Sequence, residues 1–423
     1  MPRPVPGKNY TVVKGDTLWD LSAAAYGDPW KWEDIYNANQ VQLTPDTPNK
    51  WGYSMQPGQV IFIPPDKEID ELKASSQTKK KVDREPGEMS IFLAGESVIV
   101  KTGRLTRTMD TPSDGFTGTT VYFPLEERYQ KIFKPFNYQS AEAFLGPELQ
   151  CTAKLYMVKP SIEPGQTGQS ISFKAFSHTV DIVDSTSKPP YEQKNVTLEE
   201  RIRSLVEPKG INVVWKVETE DKPFKKVKIA KTEQIFKHIS VLAKQRSVVF
   251  STSETGDLVC ENATTEGSVG TIIEGDGLLM KMEPEFDGRK AFSQNVAYGT
   301  GPKKNIKAVS KNDWAPSSRQ KSFLANDMKD DDIQEAADFE RNRALVEALT
   351  LPIPVRSWYA PDGKVWKPNT LVTLISPSAF LPDGFTFLIK SVEFTISEKG
   401  STATLSLVPP TVYTKDPIIN PWA

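Results

Sequence analysis

Thirty-three prolines punctuate this 423-residue chain, and they gather between its periodic segments instead of within them. Because proline fixes φ and removes a backbone donor, that distribution cuts the chain into short elements separated by turns. A length of 423 residues suffices for about two to four domains, so several separate cores are expected. Lysine and arginine number 52 against 54 aspartates and glutamates, a formal charge of −2. Binding a polyanion by counterion release needs a cationic surplus, so this balance argues against nucleic acid as a principal, specific partner. Two cysteines, Cys151 and Cys260, cannot scaffold a chain of this size, which points to synthesis in a reducing cytosol. Residues Met1 to Gly7 hold no apolar stretch, and no apolar run approaches the ~20 residues of a membrane helix. Neither a signal peptide nor a membrane anchor is expected.

The first segment spans residues 9–65. Tyr10 to Val13 alternates as a short strand, and Asp16 is placed to cap a helix over Thr17 to Tyr26. Gly27, Asp28 and Pro29 break that helix. A second one over 30–39 sets Trp32, Ile35 and Tyr36 on one side, with Asn39 at its end. Pro57 and Gly58 turn the chain into a strand over Val60 to Ile63. Residues 66–88 shift to Lys, Asp, Glu, Ser and Gln, with the basic run Lys79 to Lys81; this composition predicts a solvated linker.

The string YTVVKGDTLWDLSAAAYGDPWKWEDIYNANQ, followed by PGQVIFIPP, resembles a LysM domain over nearly the whole segment. The resemblance implies a βααβ fold. It also implies a shallow groove for N-acetylglucosamine-containing glycans, with Gly15, Asp16, Thr17, Leu18 and Asn39 as contacts. The chain departs from the family between Asn39 and Pro57, where Gln40 to Gln56 carries Pro45, Pro48, Trp51 and Tyr53 on the groove side. That insertion fits a filled groove, an extended groove or a protein-docking surface.

Residues 89–190 read as a first β-barrel domain. Strands are predicted at Ser90–Leu93, Ser97–Thr102, Leu105–Asp110, Phe116–Phe123, Leu149–Lys159 and Ser170–Val183, with 137–146 as a looser connection. Residues 191–269 change period and predict an α/β insert. Thr197 caps a helix carrying Leu198, Ile202, Leu205 and Val206, and Thr232 to Arg246 forms a second amphipathic helix. Strands are expected at Ile211–Val217 and, as a hairpin through Glu254 to Asp257, at Val248–Phe250 and Leu258–Cys260. Residues 270–410 read as a second β-barrel domain, with strands at Gly277–Glu285, Ala291–Tyr298, Leu371–Ile375, Phe385–Ile396 and Thr402–Leu407. Between them, 299–323 reads as loop and Asp331 to Leu349 as a long polar helix; 411–423 reads as a proline-rich coil tail.

Three strings, GRLTRTMDTPSDGF, KTEQIFKHISVLAKQRSVVFSTSETGDLVCEN and WYAPDGKVWKPNTLVTL with FLIKSVEFTISEKGSTATLSLVPP, are similar in order to phage tail-baseplate hub proteins of the Mu type. The resemblance implies two tail-tube-like β-barrels per chain and a homotrimer forming a pseudo-sixfold ring. Its implied partners are the tail tube protein, the central spike protein and other baseplate proteins, and DNA or a tape-measure protein would pass through the lumen. It implies a place in the virion tail baseplate, assembled from chains made in the host cytoplasm. A near-neutral chain suits such an assembly, and Arg104 and Arg107 beside Asp110 are too mixed to form a phosphate-binding cluster.

No catalytic, metal or cofactor constellation stands out. His178 neighbours Ser177 and Asp181, but on an alternating strand adjacent side chains face opposite ways. His238 lies on an amphipathic helix and reads as structural. Asp330 to Asp332 lacks the alternation of a calcium loop and suits a helix start; Gly299 and Gly301 lack a following phosphate-binding Lys-Ser/Thr. The competing reading is a cell-wall hydrolase or adhesin targeted by the LysM unit, which requires two carboxylates flanking a glycosidic bond.

Overall fold

The computed structural model describes residues 4–26, 31–39, 55–64, 88–162, 169–299, 307–313, 315, 318–325, 330–343, 346–398, 400–414 and 416–422. The Gly27–Pro29 break, the insertion residues Pro45, Pro48, Trp51 and Tyr53, linker residues 66–87 with their lysine run, and Gly301 lie outside these residues. The chain divides into two compact units, Met1–Arg84 and Glu85–Ala423.

The first unit has the βααβ order: β1 (Lys8–Thr11), α1 (Leu18–Tyr26), α2 (Trp32–Ala38) and β2 (Val60–Ile63). β1 and β2 pair antiparallel, Tyr10 opposite Ile61. Tyr10, Val12, Leu18, Leu21, Ile35, Ile61 and Ile63 form its core. Thr17, not Asp16, caps α1. The Thr17 hydroxyl accepts from the Asp20 amide at 3.1 Å. Asp16 is engaged elsewhere, its Oδ2 accepting from the Tyr10 hydroxyl at 2.9 Å and the Val13 amide at 2.7 Å.

The second unit opens with β3 (Met89–Leu93), β4 (Glu96–Val98), β5 (Thr102–Thr108), β6 (Gly115–Tyr122), the short helix α3 (Glu127–Ile132), β7 (Ser140–Leu145), β8 (Glu148–Ser161) and β9 (Gln169–Phe176). β7 replaces the expected loose connection: its alternate residues Ala141 and Ala143 are buried, and it pairs with both β3 and β8. The strand expected to reach Val183 stops at Phe176, and Val180–Asp184 forms the short helix α4. At Gly118 the strand passes so close to Phe173 that an added Cβ would stand 2.6 Å from its ring, which leaves no room for a side chain.

The insert holds β10 (Glu192–Val196), α5 (Leu198–Val206), β11 (Val213–Lys216), β12 (Phe224–Lys228), α6 (Ile235–Lys244), β13 (Val248–Thr252) and β14 (Leu258–Asn262). Thr197 caps α5 in a reciprocal box with Glu200, as its spacing predicts. β13 and β14 form the expected hairpin, β11 joins β14 in parallel, and β10 and β12 make a separate two-stranded ribbon. Ile202, Val206, Ile239, Phe250 and Cys260 belong to one buried insert core.

The last part comprises β15 (Thr271–Ile273), β16 (Gln294–Gly299), β17 (Lys307–Lys311), β18 (Gln320–Ala325), α7 (Asp330–Arg343), α8 (Val346–Leu349), β19 (Leu351–Val355), β20 (Leu371–Ser376), β21 (Leu381–Ser397) and β22 (Gly400–Val408). Gly277 to Glu285 is not a strand; its sole ladder contact among the described residues is an isolated bridge from Leu279 to Val355. Conversely, the expected loop over 299–323 contains β17 and most of β18, which flank β16. The expected coil tail is docked: Val412 and Tyr413 are buried, and the Asn342 amide donates to the carbonyls of Thr411, Thr414 and Asp416.

The fold is mainly β, and its two barrel-like halves share one sheet. β5 of the first half pairs antiparallel with β21 of the second, from Thr108 opposite Ser391 to Gly103 opposite Ile396. β15, β20, β21, β5, β6, β9, β8, β7, β3 and β4 thereby form one continuous path, with β22 and β19 branching from β21. Beneath it, Leu105, Phe116, Phe394 and Leu405 belong to a single core that draws on both halves.

Candidate functional sites on the LysM unit and the second unit

Four of the five candidate glycan contacts fall in one turn. Gly15 is exposed and adopts φ +99, with open space where a side chain would stand. Asp16 holds the turn closed through Tyr10 and Val13, Thr17 caps α1, and Leu18 is buried in the core. Asn39 is buried as well. Its Nδ2 donates to the carbonyls of Ile35 and Phe62 at 2.7 Å each, and its Oδ1 accepts from the Phe62 amide at 2.8 Å, tying α2 to β2. A ligand at this turn would therefore meet Gly15, Thr17 and main-chain groups, because Leu18 and Asn39 are buried. The role of Tyr10 was not legible in the sequence, since the contact arises only when β1 folds back over the turn.

In the second unit a buried polar junction joins β5, β8 and the β13–β14 hairpin. Arg107 is 6% exposed. It donates through Nε to Asp114 at 3.2 Å and through Nη1 to Glu254 at 2.9 Å and Gln150 at 3.3 Å. Its Nη2 donates to the Thr252 carbonyl at 3.0 Å. Burial pushes the Asp114 carboxyl up to about 6 despite the facing Arg107. Burial acts on Glu254 in the same direction, but the Arg107 charge and hydrogen bonds outweigh it and hold that carboxyl at about 2. Lys367 also donates to Glu254 at 3.1 Å, so the junction reaches the C-terminal half. Arg107 and Asp110, too mixed with Arg104 to form a phosphate-binding cluster, in fact part company: Arg107 turns inward and Asp110 pairs with Arg343 at 2.6 Å.

The two histidines occupy structural settings. His178 sits in a turn before α4, not on a strand, and the neighbouring Ser177 hydroxyl is fully buried at 2.5 Å from the Thr179 hydroxyl. Arg201 Nε donates to His238 Nε2 at 3.3 Å, which leaves the ring proton on Nδ1, the nitrogen that faces Glu233 at 3.9 Å. Burial and the Arg201 charge lower His238 to about 4. Among the described residues no group of three His, Cys, Asp or Glu side chains is placed to hold a metal ion.

Residues 10–64 match the LysM domain. Residues 179–262, which span the insert, match the second domain of the gp44-like baseplate hub proteins. Residues 330–416, from α7 to the docked tail, match the fourth domain of Mu phage baseplate assembly protein GpP. Baseplate hub protein gp44 of Escherichia phage Mu is 24% identical over 271 residues, covering 60% of this chain and 68% of that protein. The chain joins a LysM domain to segments that match baseplate hub proteins of the gp44 type. Two solved tail proteins share this fold. The 43 kDa tail protein of prophage MuSo2 from Shewanella oneidensis has a TM-score of 0.66 at 24% identity, covering 77% of this chain and 99% of that one. The tail protein of Neisseria meningitidis has a TM-score of 0.67 at 20% identity, covering 78% and 98%. In this chain, the Arg107 junction lies between the first half of the shared sheet and the insert that matches the gp44-like second domain.

Proposed function

We propose that three copies of the hub chain close into a ring of six barrel-like halves, two from each protomer. One face of the ring meets the sixfold tail tube and the other the threefold central spike, so the ring adapts one symmetry to the other. The observation that supports this reading is the strand pairing of β5 with β21, which fixes two halves side by side over one core within a single chain. Closing that arrangement between chains would cover the remaining sheet edges, an outcome favoured because open edges invite aggregation. The hub is assembled in the host cytoplasm, resides in the virion tail baseplate and is not an enzyme. Its named relatives are baseplate and tail proteins, which supports that reading.

The LysM domain serves as an attachment module for peptidoglycan or another N-acetylglucosamine glycan, or for a neighbouring baseplate protein. Cross-linking of the purified hub chain tests the ring: trimers as the limiting product are expected, and dimers alone would contradict it. Pull-down on insoluble peptidoglycan separates the two LysM roles. Retention that is lost in a Gly15→Trp variant indicates glycan, and no retention by the native chain indicates docking.

A further inference from the structure

We infer that the aromatic triad of Phe286, Phe380 and Trp422, with the carboxylates around it, is a docking site for a protein segment that carries lysine or arginine beside aliphatic side chains. The inference takes its setting from the baseplate role proposed above and does not depend on the ring. The triad forms where three parts of the second unit converge: the segment between β15 and β16, the turn between β20 and β21, and the docked tail. The Phe286 ring meets Phe380 edge-on with centroids 6.1 Å apart, and Trp422 likewise at 5.0 Å. Even so, Phe380 is 70% exposed and Phe286 45%. Single exposed apolar side chains are ordinary, but Phe380 is held out under strain. It adopts φ +61, a left-handed conformation that a bulky side chain rarely takes.

The turn that imposes this conformation is fastened from several sides. The Phe380 amide donates to the Pro377 carbonyl at 3.0 Å. The Glu274 carboxylate accepts from the Ser376 hydroxyl at 2.7 Å and the Ser378 amide at 3.0 Å, and Trp422 Nε1 donates to the Ala379 carbonyl at 3.0 Å. A ring so exposed recovers little of its strain within its own fold. As a rigid anchor for a partner it recovers more, because preorganised aromatic side chains carry much of the energy at interfaces. Charge selects the partner. Residues 274–289 hold five carboxylates, Glu274, Asp276, Glu283, Glu285 and Asp287, against Lys281 and Arg289. Both cations are taken: Lys281 pairs with Glu283 at 2.7 Å and Arg289 with Asp287 at 2.8 Å. Glu285, which precedes Phe286, and Asp383, three residues after Phe380, are exposed and form no ion pair among the described residues. This surplus repels phosphate, so neither nucleic acid nor an anionic lipid surface suits these rings. A basic, aliphatic segment suits them on both counts. Its cations meet the carboxylates and the open face of the Phe380 ring, and its aliphatic groups cover the aromatic edges.

Photo-cross-linking of the full chain in assembled tails tests the occupant. With Phe380 replaced by the photoreactive analogue p-benzoylphenylalanine, the adduct should map to a different protein, on a peptide of net positive charge. An adduct to this same chain, whether to a second copy or to residues 1–88, overturns the inference. So does an acidic peptide, or no adduct at all. Absence of the chain from purified tails is a separate result, which removes the baseplate role itself.

Two variants separate docking from folding. Phe380→Asn supplies a residue that tolerates the left-handed turn, and Glu285→Lys with Asp383→Lys reverses the local charge. Melting temperatures of the full chains establish that both fold. In competition with the native chain, each should enter tails at least ~10-fold less, as loss of an interface anchor requires. Native-level entry by Phe380→Asn removes the anchor, and native-level entry by the lysine pair removes the basic partner; either result overturns the inference.

Discussion

Arg107 on β5 and Glu254 in the β13–β14 turn meet at 2.9 Å across 147 positions of sequence. Their contact fastens the gp44-like insert to the first half of the sheet. Asp114, 2% exposed, depends on the same guanidinium. Replacing Arg107 by methionine therefore strands one fully buried carboxylate, a change that typically costs about 3–5 kcal/mol. Chemical denaturation of Arg107→Met should show a loss in that range, and Arg107→Lys should restore only part of it because one ammonium cannot reproduce four donor contacts. A loss below ~1 kcal/mol would show that the junction is decorative.

The insert should weaken in mild acid. His238 takes up a proton near 6.5 in the unfolded chain but only at about 4 in the fold. Its folded value is depressed, so the stability tied to the neutral ring is fully present above pH 6.5 and is lost as pH falls toward 4. The full shift corresponds to roughly 3 kcal/mol. Thermal melts followed by tryptophan emission should show this acid-sensitive loss in the native chain and a flatter profile in His238→Gln. Parallel profiles for the two would refute the assignment.

The capping box on α5 makes a smaller, sharper case. Thr197 accepts from the Glu200 amide at 3.2 Å, and the Glu200 carboxylate accepts from the Thr197 amide at 2.9 Å. Thr197→Ala should cost about 1 kcal/mol, and Thr197→Ser much less. Hydrogen exchange over the first turn of α5 would report the loss where it occurs.

Asn39 predicts a separation between the two units. Its three hydrogen bonds hold α2 against β2, so Asn39→Ala should cost about 2–3 kcal/mol or more and expose the LysM unit to proteolysis. The second unit has its own cores and should melt as before. Simultaneous loss of both units would contradict their independence.

Local chemistry explains which parts of this architecture could be read in advance. The LysM unit, the Thr197 cap and the β13–β14 hairpin announce themselves through short-range patterns. β19 did not, because Leu351-Pro352-Ile353-Pro354-Val355 looks unfit for a sheet; it survives as an edge strand whose ladder runs with β22, while its other side meets only the Leu279 bridge among the described residues and tolerates the missing donors. β18 was hidden by a sequence, Gln320 to Ala325, that opens on polar residues and pairs in parallel with β16, so no hairpin turn joins the two. Asp16 was assigned a cap that Thr17 performs, since neighbouring oxygen-bearing residues compete for one helix end and only the fold decides. The inward turn of Arg107 and the meeting of β5 with β21 depend on segments far apart in the chain, which no local pattern encodes.

The most direct test of the account is the mass of the purified full chain by light scattering, measured over a range of concentrations beside a chain lacking residues 1–88. Three times the chain mass from both is the predicted result, because the proposed ring is built from the shared sheet and not from the LysM unit. A monomer throughout would contradict the trimeric hub.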